Sequence, residues 1–245
     1  MIRLLTFVVI MMMAPGLAVA QQFPTEIFNT PIDGSVAAWI IRTFGLLTVL
    51  SIAPGILIMV TSFPRFLIAF SILRSGMGLA TTPSNMILTS MALFMTFYVM
   101  APTMDQAWTN GAQPLLANQI TEAEAVARIA EPFRTFMTAN TRDKDLKLFV
   151  DIANERGQAT IVDGKVDYRV LIPAFMLSEI RRGFEIGFLI ILPFLVIDMV
   201  VATITMAMGM MMLPPTSISL PFKILFFVLI DGWNLLVGSL VRSFV

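Results

Sequence analysis

Four ionisable side chains stand where charge is costly. Arg65, Asp198, Lys223 and Asp231 fall inside long apolar runs. Each would cost about 2.5–3.5 kcal/mol at the centre of a bilayer on insertion scales, so they must face protein or water. Carboxylates held this way could relay protons. In a symmetric hairpin hinged at Pro214 and Pro215, Asp198 and Asp231 lie at similar depth, and like charges repel unless one is protonated or a cation intervenes. Lys223 is ~12 Å along a helix axis from Asp231, too far for a direct bond. The pattern points to pairing with other subunits. Partners within the first apolar hairpin, such as Arg65, are the alternative, as is snorkelling to an interface.

The second chemical feature is soft rather than charged. Residues 206–215 read Met-Ala-Met-Gly-Met-Met-Met-Leu-Pro-Pro. Neighbouring positions on a helix are about 100° apart, so Met210, Met211 and Met212 cannot share one packed face. Pro214 and Pro215 remove backbone donors and stop the helix there. Flexible thioethers at the tip of an apolar hairpin suit a surface that adapts to varied partners; the plain alternative is lipid-facing filler.

What the chain lacks narrows the chemistry. It has no cysteine and no histidine. Thiol redox, disulfides, Cys/His zinc sites and imidazole catalysis are therefore absent, and neither a metal nor a cofactor is expected. Asp231 sits in Leu-Ile-Asp-Gly-Trp rather than the Gly-x-Gly-Asp of aspartyl intramembrane proteases. Lys+Arg and Asp+Glu both number 16, so no charge bias points to nucleic acid. With 57% hydrophobic residues, 13% charged and a mean hydropathy of +0.85, the chain belongs in a membrane.

The positioning elements follow in order. Residues 1–20 have a positive start at Arg3, an apolar stretch from Leu4 to Ala14, and Ala18-Val19-Ala20, which reads as a signal peptide cleaved after Ala20. Residues 21–43 read as a polar, turn-rich lead-in. Residues 44–104 form a first helical hairpin. Its first arm, 44–73, would span ~45 Å as one helix against a ~30 Å slab, so it must tilt, kink at Pro54-Gly55 and Pro64, or leave the lipid. Residues 105–182 hold 21 of the 32 charged side chains and read as a water-exposed helical domain. There Thr121 and Glu124 make a capping box, Val126, Ile129, Phe133 and Phe136 recur at helical spacing around Pro132, and Gly157 ends a second helix. Asp163-Gly164 suggests a hairpin turn. Residues 183–245 form a second hairpin, in which Gly183 and Gly187 give the GxxxG spacing for close helix approach. With the signal peptide fixing the N-terminal side, 105–182 faces the periplasm and the 214–217 turn faces the cytoplasm. Four spans without an internal repeat are few for a proton-coupled carrier using Asp198, Lys223 and Asp231; a multi-subunit channel explains more.

Several blocks carry a family resemblance. Thr61-Ser62-Phe63-Pro64-Arg65, Asp143-Lys144-Asp145-Leu146, Leu171-Ile172-Pro173-Ala174-Phe175 and Ser178-Glu179 are similar to successive blocks of the flagellar biosynthetic protein FliP family. So is the stretch from Ile186-Gly187-Phe188 through Leu192-Pro193-Phe194 and Gly209–Pro215 to Leu220-Pro221-Phe222-Lys223 and Asp231-Gly232-Trp233. Pro64 departs from the threonine usual before that arginine, and Ala80-Thr81-Thr82 from a glutamine-rich linker. The resemblance implies an all-α core subunit of the type III secretion export gate in the bacterial inner membrane, at the flagellar basal body. It implies a homo-oligomer, a pentamer, forming a helical cone with Q and R subunits. The B and A export-gate subunits and the basal-body MS ring would be neighbours, and unfolded export substrates the cargo. On that reading Met210, Met211 and Met212 are a deformable pore gasket, Pro214 and Pro215 its hinge, and Glu179, Asp198 and Lys223 inter-subunit contacts. The virulence-type secretion family shares this core and is the closest alternative.

Overall fold

A computed structural model describes residues 34–162, 164–209 and 214–244. The signal peptide, most of the lead-in and Met210–Leu213 lie outside the described residues. The chain divides into two units, Met1–Ile52 and Ala53–Val245. Of the first, the described part is helical. Helix α1 (Gly34–Met59) begins ahead of the long apolar run and continues past Ile52 into the second unit. Within the first unit it leaves Trp39, Phe44 and Leu47 exposed. Thr48 and Ser51 donate their hydroxyls back to the carbonyls of Phe44 and Leu47, so these polar groups cost little in an apolar helix.

The structure is nearly all helical, as its patterning predicts. α1 runs unbroken through Pro54-Gly55, and the chain turns instead at residues 60–62. Pro64 then falls in the first turn of α2 (Phe63–Gly76), where its missing N–H has no partner to lose. α3 (Asn85–Ala107) starts on Ser84, whose hydroxyl accepts from the Ile87 N–H. It continues through a π-helical turn (Trp108–Ala112) into α4 (Gln113–Leu116).

Next come the two helices of the charged segment. α5 (Glu122–Asn140) begins on Thr121, which accepts from the Glu124 N–H. The reciprocal half of the expected capping box is not the contact formed, because the Glu124 carboxylate pairs with Arg128 one turn on. Pro132 is accommodated inside this helix. The apolar stripe is also rotated from its expected line: Val126 is exposed, whereas Ala125, Pro132 and Met137 are buried. α6 (Asp143–Glu155) closes with the Gln158 N–H on the Ala153 carbonyl and the Gly157 N–H on Asn154. Gly157 is left-handed there (φ +65°), the conformation glycine adopts without strain. The predicted hairpin forms from β1 (Ile161–Val162) and β2 (Lys165–Val166), with Ile161 opposite Val166.

α7 (Tyr168–Ala207) is the long beam of the structure, 40 residues starting on the Asp167 cap. At 1.5 Å per residue it reaches ~60 Å, about twice the hydrocarbon thickness. Its first third packs on α5 and α6, where Leu171 and Phe175 meet Met137 and the rims of Phe133 and Phe136. Its apolar remainder continues without a break, so the change of composition at 182/183 falls inside one helix. α8 (Pro215–Leu229) and α9 (Gly232–Arg242) follow, bent by 63°. The second arm of the expected 183–245 hairpin is thus two helices. Asn85–Leu116 and Tyr168–Ala207 are each long and apolar enough to cross a membrane, and the bent pair makes a third such stretch.

α2 lies along α7 in the main packing of this unit. A Cβ at Gly183 would come within 3.1 Å of Ile68, one at Gly187 within 2.9 Å of Ile72, and one at Gly76 within 2.3 Å of Ile191. The GxxxG spacing is therefore used: isoleucine knobs from each helix seat over glycines of the other. Among apolar surroundings such close approach, rather than expulsion of water, is what favours helix pairing. Phe66, Phe70, Leu73, Phe194, Phe227, Leu236 and Leu240 fill the core around this crossing.

Candidate functional site

The methionine triplet, Met210–Met212, lies outside the described residues, but both of its flanks are fixed. α7 ends at Ala207, and Gly209 turns left-handed (φ +72°) with its N–H on the Met206 carbonyl. Pro214 is the N-cap of α8 in an extended conformation (φ −66°, ψ 122°), and Pro215 opens the helix. A glycine stop and a proline start thus bracket the turn, the usual asymmetry of helix ends. Met206 and Met208, which would be ordinary helix packing on the sequence alone, are exposed. Met208, with Val196, Val200, Ile204, Ile218 and Phe222, lines an open apolar groove of about 480 Å³ between α7 and α8.

Arg65, Glu179 and Lys223 are buried in two clusters. In the first, Arg65 donates through Nε to Glu179 Oε2 at 2.9 Å and through Nη2 to Glu179 Oε1, a bidentate pair with both side chains at 0% exposure. Its remaining nitrogen, Nη1, donates to the Ser243 carbonyl at 3.1 Å and the Ser243 hydroxyl at 2.7 Å. The Phe244 ring covers the guanidinium, 3.5 Å from Cζ to centroid. Every nitrogen of the Arg65 guanidinium thereby has an acceptor, which the burial of a charged group demands.

In the second, Lys223 Nζ donates to Asp198 Oδ2 at 2.5 Å and to the Gly76 carbonyl at 3.1 Å. The Ser219 hydroxyl donates to Asp198 Oδ1 at 2.6 Å. Lys223 is buried and Asp198 retains 30% exposure. The Gly76 carbonyl is the end of α2, where the helix dipole is negative and a cation is favoured.

Glu179, Asp198 and Lys223, expected at inter-subunit contacts, each have an intrachain partner in the single chain. For Glu179 that partner is Arg65, which the sequence offered only as a partner for the charges of the second hairpin. Asp198 faces Lys223 rather than Asp231 because α7 ends at Ala207 and α8 begins at Pro215, so that 198 and 223 lie at similar distances from the ends of their helices. Asp231 is not buried, as its place in an apolar run suggests, but exposed. It adopts a left-handed conformation (φ 51°, ψ 52°) at the α8–α9 joint. Arg65 and Lys223 are buried, as charges in apolar runs require.

Sequence reasoning missed Ser219, Ser243 and Phe244. Ser219 stands one helical turn before Lys223, which is a usable signal; the role of 243–244 leaves no local trace. It also missed the link between Ser178 and Asp145, in which the Ser178 hydroxyl donates to Asp145 Oδ2 at 2.7 Å and accepts from the Arg142 N–H. That contact ties α6 to α7 beside Glu179.

Residues 46–240, which hold Arg65, Glu179, Asp198, Ser219, Lys223 and the methionine turn, match the FliP family. The chain belongs to the FliP family. A protein of Agrobacterium fabrum named flagellar biosynthetic protein FliP is 83% identical over 244 residues, covering 100% of both chains. One of the same name from Rhizobium meliloti is 76% identical over 245 residues, again covering 100% of both. A Bacillus subtilis relative, also so named, is 48% identical over 199 residues, 81% of this chain and 89% of that protein. The name is that of a biosynthetic component of the flagellum and not of an enzyme.

Proposed function

We propose that this FliP-family chain is a pore-forming core subunit of the flagellar type III secretion export gate. On this reading it resides in the bacterial inner membrane at the flagellar basal body, with residues 105–182 in the periplasm. Several copies assemble with Q and R subunits into a helical cone, beside the B and A export-gate subunits and the MS ring. Unfolded flagellar proteins pass through it, and Met210–Met212 close around them. No catalytic step belongs to this chain.

The observation that carries the reading is the bracketed methionine turn between two apolar helices. Gly209 and Pro214–Pro215 fix both ends of the turn, while the flanking faces bearing Met206, Met208 and Phe222 are uncovered in the single chain. Such faces favour apolar neighbours, either lipid or further subunits. Thioethers at the tip would then meet at an axis, where their flexibility lets them seal an empty pore and yield to side chains of any type. The names of the relatives favour the flagellar over the virulence branch. The carrier reading is disfavoured because Asp198 and Lys223 satisfy one another, leaving Asp231 apart.

The test is to replace Met210, Met211 and Met212 together by alanine. Ion leak across the inner membrane should rise, or export of flagellar proteins into the medium should fall. Wild-type leak together with wild-type export would overturn the gasket.

A further inference from the structure

The bent pair α8–α9 is fastened to α2 at two separate points, one at each end of the same 14-residue helix. At the end of α2, the Gly76 carbonyl receives Lys223 from α8. At its start, Arg65 receives the Ser243 carbonyl and hydroxyl, which follow α9, and lies under the Phe244 ring. That ring also stacks on Phe66 of α2 and Phe136 of α5, with centroids 5.9 Å apart in each case. Between the two fastenings the chain bends by 63° at Ile230–Asp231, where Asp231 is left-handed. α9 otherwise packs through Gly232 and Trp233 on Phe227 at the joint and through Leu236, Val237, Leu240 and Val241 on the core.

We propose that residues 243–244 are a releasable latch. Seated, they complete the burial of the Arg65–Glu179 pair and hold α9 against α2. Released, they let α9 pivot at the Ile230–Asp231 joint while Lys223 keeps α8 in place. The contacts suit a latch better than a permanent core. The segment is held by one guanidinium and two ring faces, Ser243 and Phe244 are only partly buried, and the joint it controls is a single left-handed residue. Local openings of this kind draw on the least densely packed element of a fold.

The latch predicts a segment-specific response in the full-length chain purified in detergent. Two readouts follow it: amide hydrogen exchange, and modification of arginines by phenylglyoxal, both resolved by mass spectrometry. Phe244→Ala should speed exchange several-fold within Gly232–Arg242 and expose Arg65 to phenylglyoxal, with Pro215–Leu229 and Tyr168–Ala207 exchanging as in the wild type. Arg128, which is exposed in either case, is the internal control. Phe244→Leu, which keeps apolar volume but removes the ring, should give a smaller change in the same segment. Lys223→Met should give the converse pattern, loosening Pro215–Leu229 first. The latch is overturned if Arg65 stays protected in both Phe244 variants. It is equally overturned if the milder Phe244→Leu speeds exchange uniformly across α2, α7 and α8, since residue 244 would then be ordinary core.

Discussion

Arg65 and Glu179, separated by 114 positions, form a bidentate ion pair with no exposed surface on either side chain. The pair joins α2 to α7 just where α7 leaves α5 and α6 and enters its apolar stretch. Removing one partner strands the other charge in the interior, which typically costs about 3–5 kcal/mol. Arg65→Ala and Glu179→Ala should each destabilise the detergent-purified chain by that order. The double replacement by methionine should be far milder, because a buried pair is often worth no more than well-packed apolar groups of similar volume. Denaturant or thermal unfolding of the three variants checks this. Additive losses in the double variant would show that the two side chains are not coupled.

The Lys223–Asp198 contact has a direction that a simple ion pair lacks. Nζ serves two acceptors, the Asp198 carboxylate and the Gly76 carbonyl at the end of α2. Lys223→Ala should therefore cost about 3 kcal/mol, the lower part of the range for breaking a buried pair, since Asp198 is partly hydrated. Asp198→Asn should be milder, because the amide oxygen can still accept from Ser219 or Lys223. Exchanging the two charges should not restore stability: a carboxylate at 223 would face the Gly76 carbonyl and the negative end of a helix dipole. Unfolding midpoints of the single variants and the swap decide the matter. A swap that recovers wild-type stability would mean the Gly76 contact contributes nothing.

Local rules explain which parts of this architecture could be read in advance. The Thr121 cap, the Gly157 helix end and the pairing of β1 with β2 follow from residues within a few positions of each other, and all were foreseeable. Arg65 was recognisable as a charge needing shelter, but its partner was not, because nothing local links position 65 to position 179. The pairing of Asp198 with Lys223 depended on where α7 ends, and the prolines mark only the start of α8. Apolar runs also hide breaks. The joint at Ile230–Asp231 lies within one continuous hydrophobic stretch, and α7 crosses a sharp change of composition without interruption. Gly183 and Gly187 carried a true signal that is weak in isolation, since the same spacing arises often by chance.

Those glycines are testable by their missing side chains. A Cβ at Gly76 would lie 2.3 Å from Cγ2 and 2.8 Å from Cβ of Ile191, so the branch point itself must move. Gly187→Ala would press on Ile72 at 2.9 Å. Each should cost about 1–3 kcal/mol by overpacking, seen as a lowered unfolding midpoint. At Gly45 no atom lies within 4 Å, and helix propensity alone would make Gly45→Ala neutral or stabilising by up to about 1 kcal/mol. If Gly76→Ala and Gly45→Ala behaved alike, the close crossing of α2 and α7 would be wrong.

Asp231 yields the last prediction, and its sign depends on the backbone rather than on the charge. With φ 51° and ψ 52° it occupies the left-handed region, which aspartate and asparagine tolerate and β-branched residues do not. Its carboxylate is exposed, so neutralising it should matter little: Asp231→Asn is expected to unfold within about 0.5 kcal/mol of the wild type. Asp231→Gly should be neutral or slightly stabilising in the folded joint, offset by a more flexible unfolded chain. Asp231→Val should cost about 1–2 kcal/mol, because its Cβ substituents clash in that conformation. A proton-relay role predicts the opposite ranking, with asparagine as damaging as valine. Measuring unfolding midpoints and flagellar export for the three variants separates them: export that tracks backbone tolerance assigns Asp231 to the bend, and export lost in Asp231→Asn alone would return it to chemistry.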